Sequence, residues 1–223
     1  LRAQGSWIDS FQANRLGFDL VPGDRYAILG SLASSLCSYA AIEAMHVGAG
    51  MIDLCGASPA QQLRGLREAG ASVLYCSPAQ LRLLVAAARG GAGHAGPALR
   101  HLLCGGGKLD AATLQAAAAL WPDACIREFY GAAETSFITI SDPATPPASV
   151  GRTYAGTVIE IRDAQGQRTD GPGEIWVRSP YLFLRYAEGP AGDTRWQDGF
   201  LTVGEMGQLD ARGWLYLKGR RSR

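Results

Sequence analysis

The ten residues from Glu128 to Phe137, EFYGAAETSF, decide how the rest of the chain is read. The run CIREFYG (125–131) has the β-branched and aromatic character of a core strand. It ends in Gly131, Ala132 and Ala133, small enough for a tight turn, and Glu134 then sets a carboxylate just beyond the strand end. Two readings are open. Either Glu134 is a solvated loop charge, or the strand end is a ligand site that includes a carboxylate.

Upstream, from about residue 5 to 135, short apolar runs alternate with helical patterns. RYAILG, GMIDLCG, ASVLYC, LRHLLCGGG and CIREFYG read as strands. Between them lie SYAAIEAMHVG, SPAQQLRGLREAG, SPAQLRLLVAAARGG and LDAATLQAAAALW, which read as helices. Ser58-Pro59 and Ser77-Pro78 are two copies of one helix start: a serine that caps and a proline suited to the first turn. Continuous apolar strands separated by helices predict a mostly parallel sheet covered on both faces.

After the loop SDPATPPASVG the grammar changes. GTVIEIRD and GEIWVRS alternate polar and apolar residues, and FLTVGEMGQLD, ARG and WLYLKG form a hairpin pattern. The expected fold is therefore α/β, a parallel sheet flanked by helices, followed by a small antiparallel barrel-like subdomain. The boundary is expected at 142/143, giving an α/β subdomain over 1–142 and a β subdomain over 143–223.

Composition excludes several classes. The formal charge is +1 across 223 residues, and no basic run tracks a nucleic-acid backbone. No apolar stretch approaches the length of a membrane span. The five cysteines are odd in number and show no C-x-x-C pairing, so neither a disulfide framework nor a zinc site is expected, and a reducing, cytoplasmic setting is the default. His46, His94 and His101 have no ligand spacing and read as surface or packing residues.

Ligands of open parallel sheets bind beyond the carboxyl ends of the strands. Cys104–Gly107 and Tyr130–Glu134 both fall at such ends. The glycines admit a close backbone approach, Tyr130 offers a face for stacking, and Glu134 offers a hard oxygen ligand for the magnesium that accompanies phosphates. These features point to a nucleotide. The alternative, that glycine-rich strand ends only turn the chain, stays open on these residues alone.

In order, five segments resemble the acyl-adenylate-forming superfamily of acyl-CoA synthetases, peptide-synthetase adenylation domains and luciferases. LLCGGGKL resembles its Gly-Gly-x-Pro-Leu segment and EFYGAAE its Tyr-Gly-x-Thr-Glu signature. GRTYAGTVIEIRD, GEIWVRSPYLFLRY and DGFLTVGEMGQLDARGWLYLKGR resemble the segments that follow, ending in the family's Gly-Arg. Each pattern alone is weak; the series in order is specific. The resemblance implies ATP/AMP and Mg2+ as cofactors. Tyr130 would stack on adenine, with Gly105, Gly106 and Gly107 against the other side of the ring, and Phe129, Gly131, Ala132 and Ala133 would complete the nucleotide contact. Glu134 would be the catalytic, magnesium-holding carboxylate. Glu205 and Arg220 would meet the ribose hydroxyls, and Leu217 would line the adenosine. Ser31, Ala33, Ser34 and Ser35 would leave an open substrate pocket, or merely let helix and sheet pack closely.

Two positions depart from the pattern. Ala133 replaces a threonine, with Thr135 displaced from that place, and Glu205 replaces the ribose-binding aspartate. The resemblance also implies a phosphate loop ahead of residue 1 and a lysine-bearing domain after residue 223. The implied function is ATP-dependent activation of a fatty or aryl acid to acyl-AMP, then transfer to coenzyme A or to the phosphopantetheine of an acyl carrier protein. Amino-acid activation is disfavoured, because GSLASSLCSYAAIEAM has no acid before Glu43 to pair a substrate ammonium. The alternatives are a non-catalytic adenylate-binding or interaction module degenerated from such an enzyme, and an unrelated dehydrogenase-like domain. The latter is disfavoured because no strand leads into G-x-G-x-x-G.

Overall fold

The computed structural model describes residues 1–92, 99–189 and 192–220, so His94 lies outside the described residues. The chain divides into two compact units, Phe11–Glu128 and Leu1–Ser10 with Phe129–Arg223.

In the first unit five parallel strands run in the order β2-β1-β3-β4-β5: β1 Arg25–Ile28, β2 Gly50–Asp53, β3 Val73–Cys76, β4 His101–Cys104 and the first half of β5, Cys125–Ala132. The helices are α1 Gln4–Phe18, α2 Ser35–Val47, α3 Pro59–Glu68, α4 Pro78–Ala87 and α5 Ala111–Leu120. Both Ser-Pro starts fold as expected. Ser58 and Ser77 each accept a bond from the backbone three residues on, while Gln61 and Gln80 reach back to the cap backbone. Leu74, Cys76, Leu102 and Cys104 point to one face, packed with Leu63, Leu66, Leu81, Leu84, Ala117 and Trp121 of α3–α5. Val73, Tyr75 and Leu103 are buried on the other, where Asn14 of α1 and Glu43 of α2 meet Tyr75. Burial on both faces is what lets β3 and β4 be continuously apolar.

In the second unit the last half of β5 pairs antiparallel with β6, Ser136–Ile140, and β6 with β7, Arg152–Thr153. The remaining strands, β8 Val158–Arg162, β9 Gly173–Arg178, β10 Arg195–Gln197, β11 Phe200–Thr202, β12 Glu205–Leu209 and β13 Leu215–Arg220, form an antiparallel sheet. β9 lies against β8 along its whole length and pairs on its other edge with β12 and β11. Ile138 of β6 packs with Ile161, Ile175, Val177, Leu201 and Leu215 of this sheet.

The division therefore falls at 128/129, not at the composition change near 142. β6 returns along β5 and contributes Ile138 to the β-sheet core, which draws both into the second unit. The first ten residues join it as well: the Leu1 carbonyl accepts from Leu184 N (2.8 Å), and the Ser10 and Ser136 hydroxyls lie 3.2 Å apart. The fold class is the expected one, a mixed, mostly parallel sheet flanked by helices with a separate antiparallel sheet.

Glu43 is fully buried in the first unit. Asn14 Nδ2 donates to its Oε1 (2.7 Å) and Tyr75 Oη to its Oε2 (2.7 Å), while Asn14 also donates to Tyr39 Oη (3.1 Å). Burial pushes the carboxyl up to about 7, against these hydrogen bonds, which pull it down. The folded chain thus holds a proton that the unfolded chain has released above an ordinary pKa of 4.5. Stability from this group is present below 4.5 and is lost as pH rises to about 7, at up to about 1.4 kcal/mol per pH unit. Glu43→Gln should flatten that fall when urea unfolding is compared between about pH 5 and about pH 8. His101, which burial pushes down, adds a slope of opposite sign to both proteins and cancels in the difference. Equal slopes in the two proteins would show that Glu43 does not titrate in this window.

Candidate functional site

The turn after β5 is shaped by a steric requirement. A Cβ on Gly131 would lie 1.9 Å from the Ser136 carbonyl oxygen, so only glycine fits where β5 and β6 cross most closely. A register shift between Tyr130 and Gly131 marks the same place. Thr135 N donates to Ala132 O (3.1 Å), and Thr135 Oγ1 accepts from Ala132 N (3.0 Å). Thr135 is buried. Its hydroxyl closes the turn, so it does not stand in for the threonine that Ala133 replaces. Ala133 is exposed beside the half-exposed Glu134.

Glu134 is held at two points. Its carbonyl accepts from Phe183 N (2.8 Å), and its Oε1 accepts from Tyr186 Oη (2.7 Å). Among the described residues Oε2 accepts no hydrogen bond, so the carboxylate keeps one oxygen for a ligand.

Tyr130 lies on the same strand end and packs against the β-sheet core. Its hydroxyl donates to Glu205 Oε2. Burial and the Glu205 charge push the phenol well above its ordinary range, so it stays a donor. Glu205 opens β12 directly opposite Arg220 of β13, and Arg220 Nε lies 3.6 Å from Glu205 Oε1. Leu217, opposite Gly207 on the same hairpin, is part-exposed. One unit thus brings Tyr130, Glu134, Glu205, Leu217 and Arg220 onto β5, its following turn and the β12–β13 hairpin. Phe129 stacks its ring near Phe137 (centroids 4.3 Å), a packing contact.

The other candidates lie in the unit Phe11–Glu128. Gly105 is buried and donates to Cys76 O (3.1 Å); Gly106 has φ +83°; Gly107 is exposed. This loop is fixed by Glu128, the first residue of the opening stretch. Its carboxylate accepts from Leu109 N (2.8 Å) and pairs with Lys108 Nζ (2.5 Å). Ser31, Ala33 and Ser34 lie in the exposed connection from β1 to α2, and Ser35, also exposed, is the first residue of α2. The Ser31 hydroxyl accepts from Ala33 N (3.1 Å), and Ser34 caps α2 by accepting from Cys37 N (3.4 Å).

Glu128, Tyr186 and Thr194 escaped the sequence reading. A charge inside an otherwise apolar strand was the available signal for Glu128. Tyr186, the last residue of GEIWVRSPYLFLRY, meets Glu134 from 52 residues away and Thr194 meets Tyr186, but the sequence assigned neither a role at the carboxylate.

Residues 3–187 match the model of the family described as AMP-binding enzyme, and the chain belongs to that family. It is 34% identical over 98% of its length to the uncharacterized acyl-CoA ligase YhfT of Bacillus subtilis strain 168, of which it covers 45%. It is 27% identical over 99% of its length to the putative long chain fatty acid-CoA ligase VraA of Staphylococcus epidermidis, covering 46% of that protein. Among solved structures, O-succinylbenzoate coenzyme A synthetase (MenE) from Bacillus subtilis, in complex with ATP and magnesium ion, shares the fold. Its TM-score is 0.87 at 22% identity, over 99% of this chain and 46% of that one. The chain spans just under half the length of these relatives.

Removing the Tyr130 hydroxyl strips Glu205 of its part-buried donor while keeping the aromatic packing. Tyr130→Phe should therefore lower stability by about 1–2 kcal/mol in chemical unfolding. An unchanged midpoint would mean that Glu205 finds water or Arg220 equally good.

Proposed function

We propose that this chain is the adenosine- and phosphate-recognising part of an enzyme that activates a carboxylic acid with ATP. The substrate carboxylate would attack the α-phosphorus and the bond to the β-phosphate oxygen would break, giving acyl-AMP and pyrophosphate. A thiol of coenzyme A or of a carrier-protein phosphopantetheine would then form the thioester and release AMP. The observation that carries the reading is the arrangement in the unit Leu1–Ser10 with Phe129–Arg223. Tyr130 is hydrogen-bonded to Glu205, with Arg220 3.6 Å from the same carboxylate, an edge suited to a nucleoside, and Glu134 keeps an oxygen for a cation.

Each residue has a role that its chemistry supports. The Tyr130 ring offers the aromatic face for adenine. Glu205 can accept from ribose hydroxyls and Arg220, a planar donor, can give to the same edge. The described residues contain no cluster of three His, Cys, Asp or Glu that could hold a metal on their own. Mg2+ needs only one or two carboxylates when phosphates and waters complete its shell, so Glu134 fits it. Bound there, Mg2+ would neutralise charge on the phosphates during attack.

The acid class is proposed as fatty or aryl. Glu43, the first acid in the stretch after β1, is fully buried and bonded to Asn14 and Tyr75, which does not suit it to pairing a substrate ammonium. A cytoplasmic location, consistent with free cysteines, belongs to the same proposal.

Calorimetric titration with AMP, and with non-hydrolysable acyl-adenylates carrying short, medium, long-chain or aryl groups, tests the reading. Binding should tighten with one acyl class, and Tyr130→Ala and Glu205→Ala should each weaken AMP by about 10-fold or more. Absence of adenylate binding by both this chain and the full-length gene product would overturn it. Adenylate binding without turnover by the full-length product would favour the non-catalytic module.

A further inference from the structure

We propose that Tyr186 is a positioning residue for Glu134, part of a directed hydrogen-bond relay from Thr194 through Tyr186 to the carboxylate that aims the remaining oxygen at a phosphate-bound divalent cation. The inference rests on the nucleotide reading above and assigns a role that the strand-end motif does not contain.

The direction of the relay follows from proton counting. A tyrosine has one O–H proton, and a carboxylate can only accept, so the Tyr186 proton lies toward Glu134 Oε1 at 2.7 Å. The 2.9 Å contact between Tyr186 Oη and Thr194 Oγ1 must then be donated by the threonine. Each bond polarises the next, which strengthens the donor presented to the carboxylate.

The geometry fixes the carboxylate as well as bonding it. Phe183 N holds the Glu134 carbonyl, and the Phe183 ring meets Tyr186 edge-on, with centroids 4.9 Å apart at 68°. A four-residue segment therefore grips Glu134 through backbone and side chain together. Glu134 could otherwise rotate freely at the surface, losing rotamer freedom only when a cation arrives. With Oε1 engaged, it presents a single oxygen in one direction, as a cation with several waters and phosphate oxygens requires.

The test measures ATP affinity of the chain by calorimetry across a Mg2+ series, with AMP as the cation-independent comparison. Tyr186→Phe should raise the Mg2+ concentration that gives half the full ATP affinity by about 10-fold. AMP affinity should move by less than about twofold. Thr194→Val should shift the Mg2+ midpoint in the same direction by a smaller factor, and Glu134→Gln should remove the Mg2+ dependence. A wild-type midpoint in Tyr186→Phe, or equal losses of AMP and ATP affinity, would overturn the positioning role alone. Wild-type ATP affinity indifferent to Mg2+ would overturn the cation role of Glu134, and the relay with it, while leaving adenylate binding. Wild-type chain that binds neither nucleotide would overturn the nucleotide reading and this inference together.

Discussion

The close crossing at Gly131 is the constraint from which the candidate site follows. β5 pairs parallel to β4 through Glu128 and antiparallel to β6 from Phe129 onward. The chain must reverse within Ala132–Thr135 for that change of partner, and a backbone atom of Ser136 comes so near Gly131 that any side chain would collide. Ser136 itself takes φ +58°, uncommon for a residue with a Cβ. The tightness leaves Tyr130 rooted in the core and sets Glu134 at the turn, where a longer loop would let both wander. Position-specific chemistry at a loop is possible here because the strand pairing on either side determines the loop's shape.

The carboxylates divide by how much of their hydrogen-bonding capacity the protein consumes. Glu43 has both oxygens engaged inside the core, and Glu128 has both engaged by Leu109 N and Lys108. Such groups hold structure, since a buried carboxylate without partners would cost several kcal/mol. Glu174, buried, is paired through Oε1 with Arg195. Glu134 differs: it is half-exposed and, among the described residues, bonded through one oxygen only. Asp163 likewise accepts only through Oδ1, from Gln165 N and Gln167 N, so spare capacity alone does not single out Glu134; its place on the turn after β5, the strand that carries Tyr130, does.

Local signals carried most of the fold. Serine followed by proline and a glutamine at the third position specified two capping boxes, and the apolar runs of β3 and β4 announced burial on both faces. The β12–β13 hairpin was legible from alternation around ARG. What could not be read is non-local. The unit boundary depends on where Ile138 packs, which composition does not encode. The side-chain partner of Glu134, Tyr186, and the Thr194 that meets it come from the segment after β9, a stretch with no periodicity. The residues flanking the candidate site were legible because their types are unusual at a strand end; the hydrogen bonds that orient them required the tertiary structure.

Glutamate at position 205, where the family pattern has aspartate, finds a physical role in that tertiary setting. Its two oxygens face different partners: the Tyr130 hydroxyl and, at 3.6 Å, Arg220. The second is long for an ion pair, and the Arg220 side chain is 59% exposed, so water screens it and it contributes little. The Tyr130 bond is part-buried, so it sets the orientation of the carboxylate. The extra methylene of glutamate extends the reach of the carboxylate from the start of β12 toward the strand end of β5. Arg220, weakly held, keeps its freedom to swing toward a ligand, and Glu205 keeps Oε1 available on the Arg220 side. The longer side chain is thus an acceptor oriented by the aromatic residue beside it, which ties the start of β12 to the strand end of β5 through a single hydrogen bond.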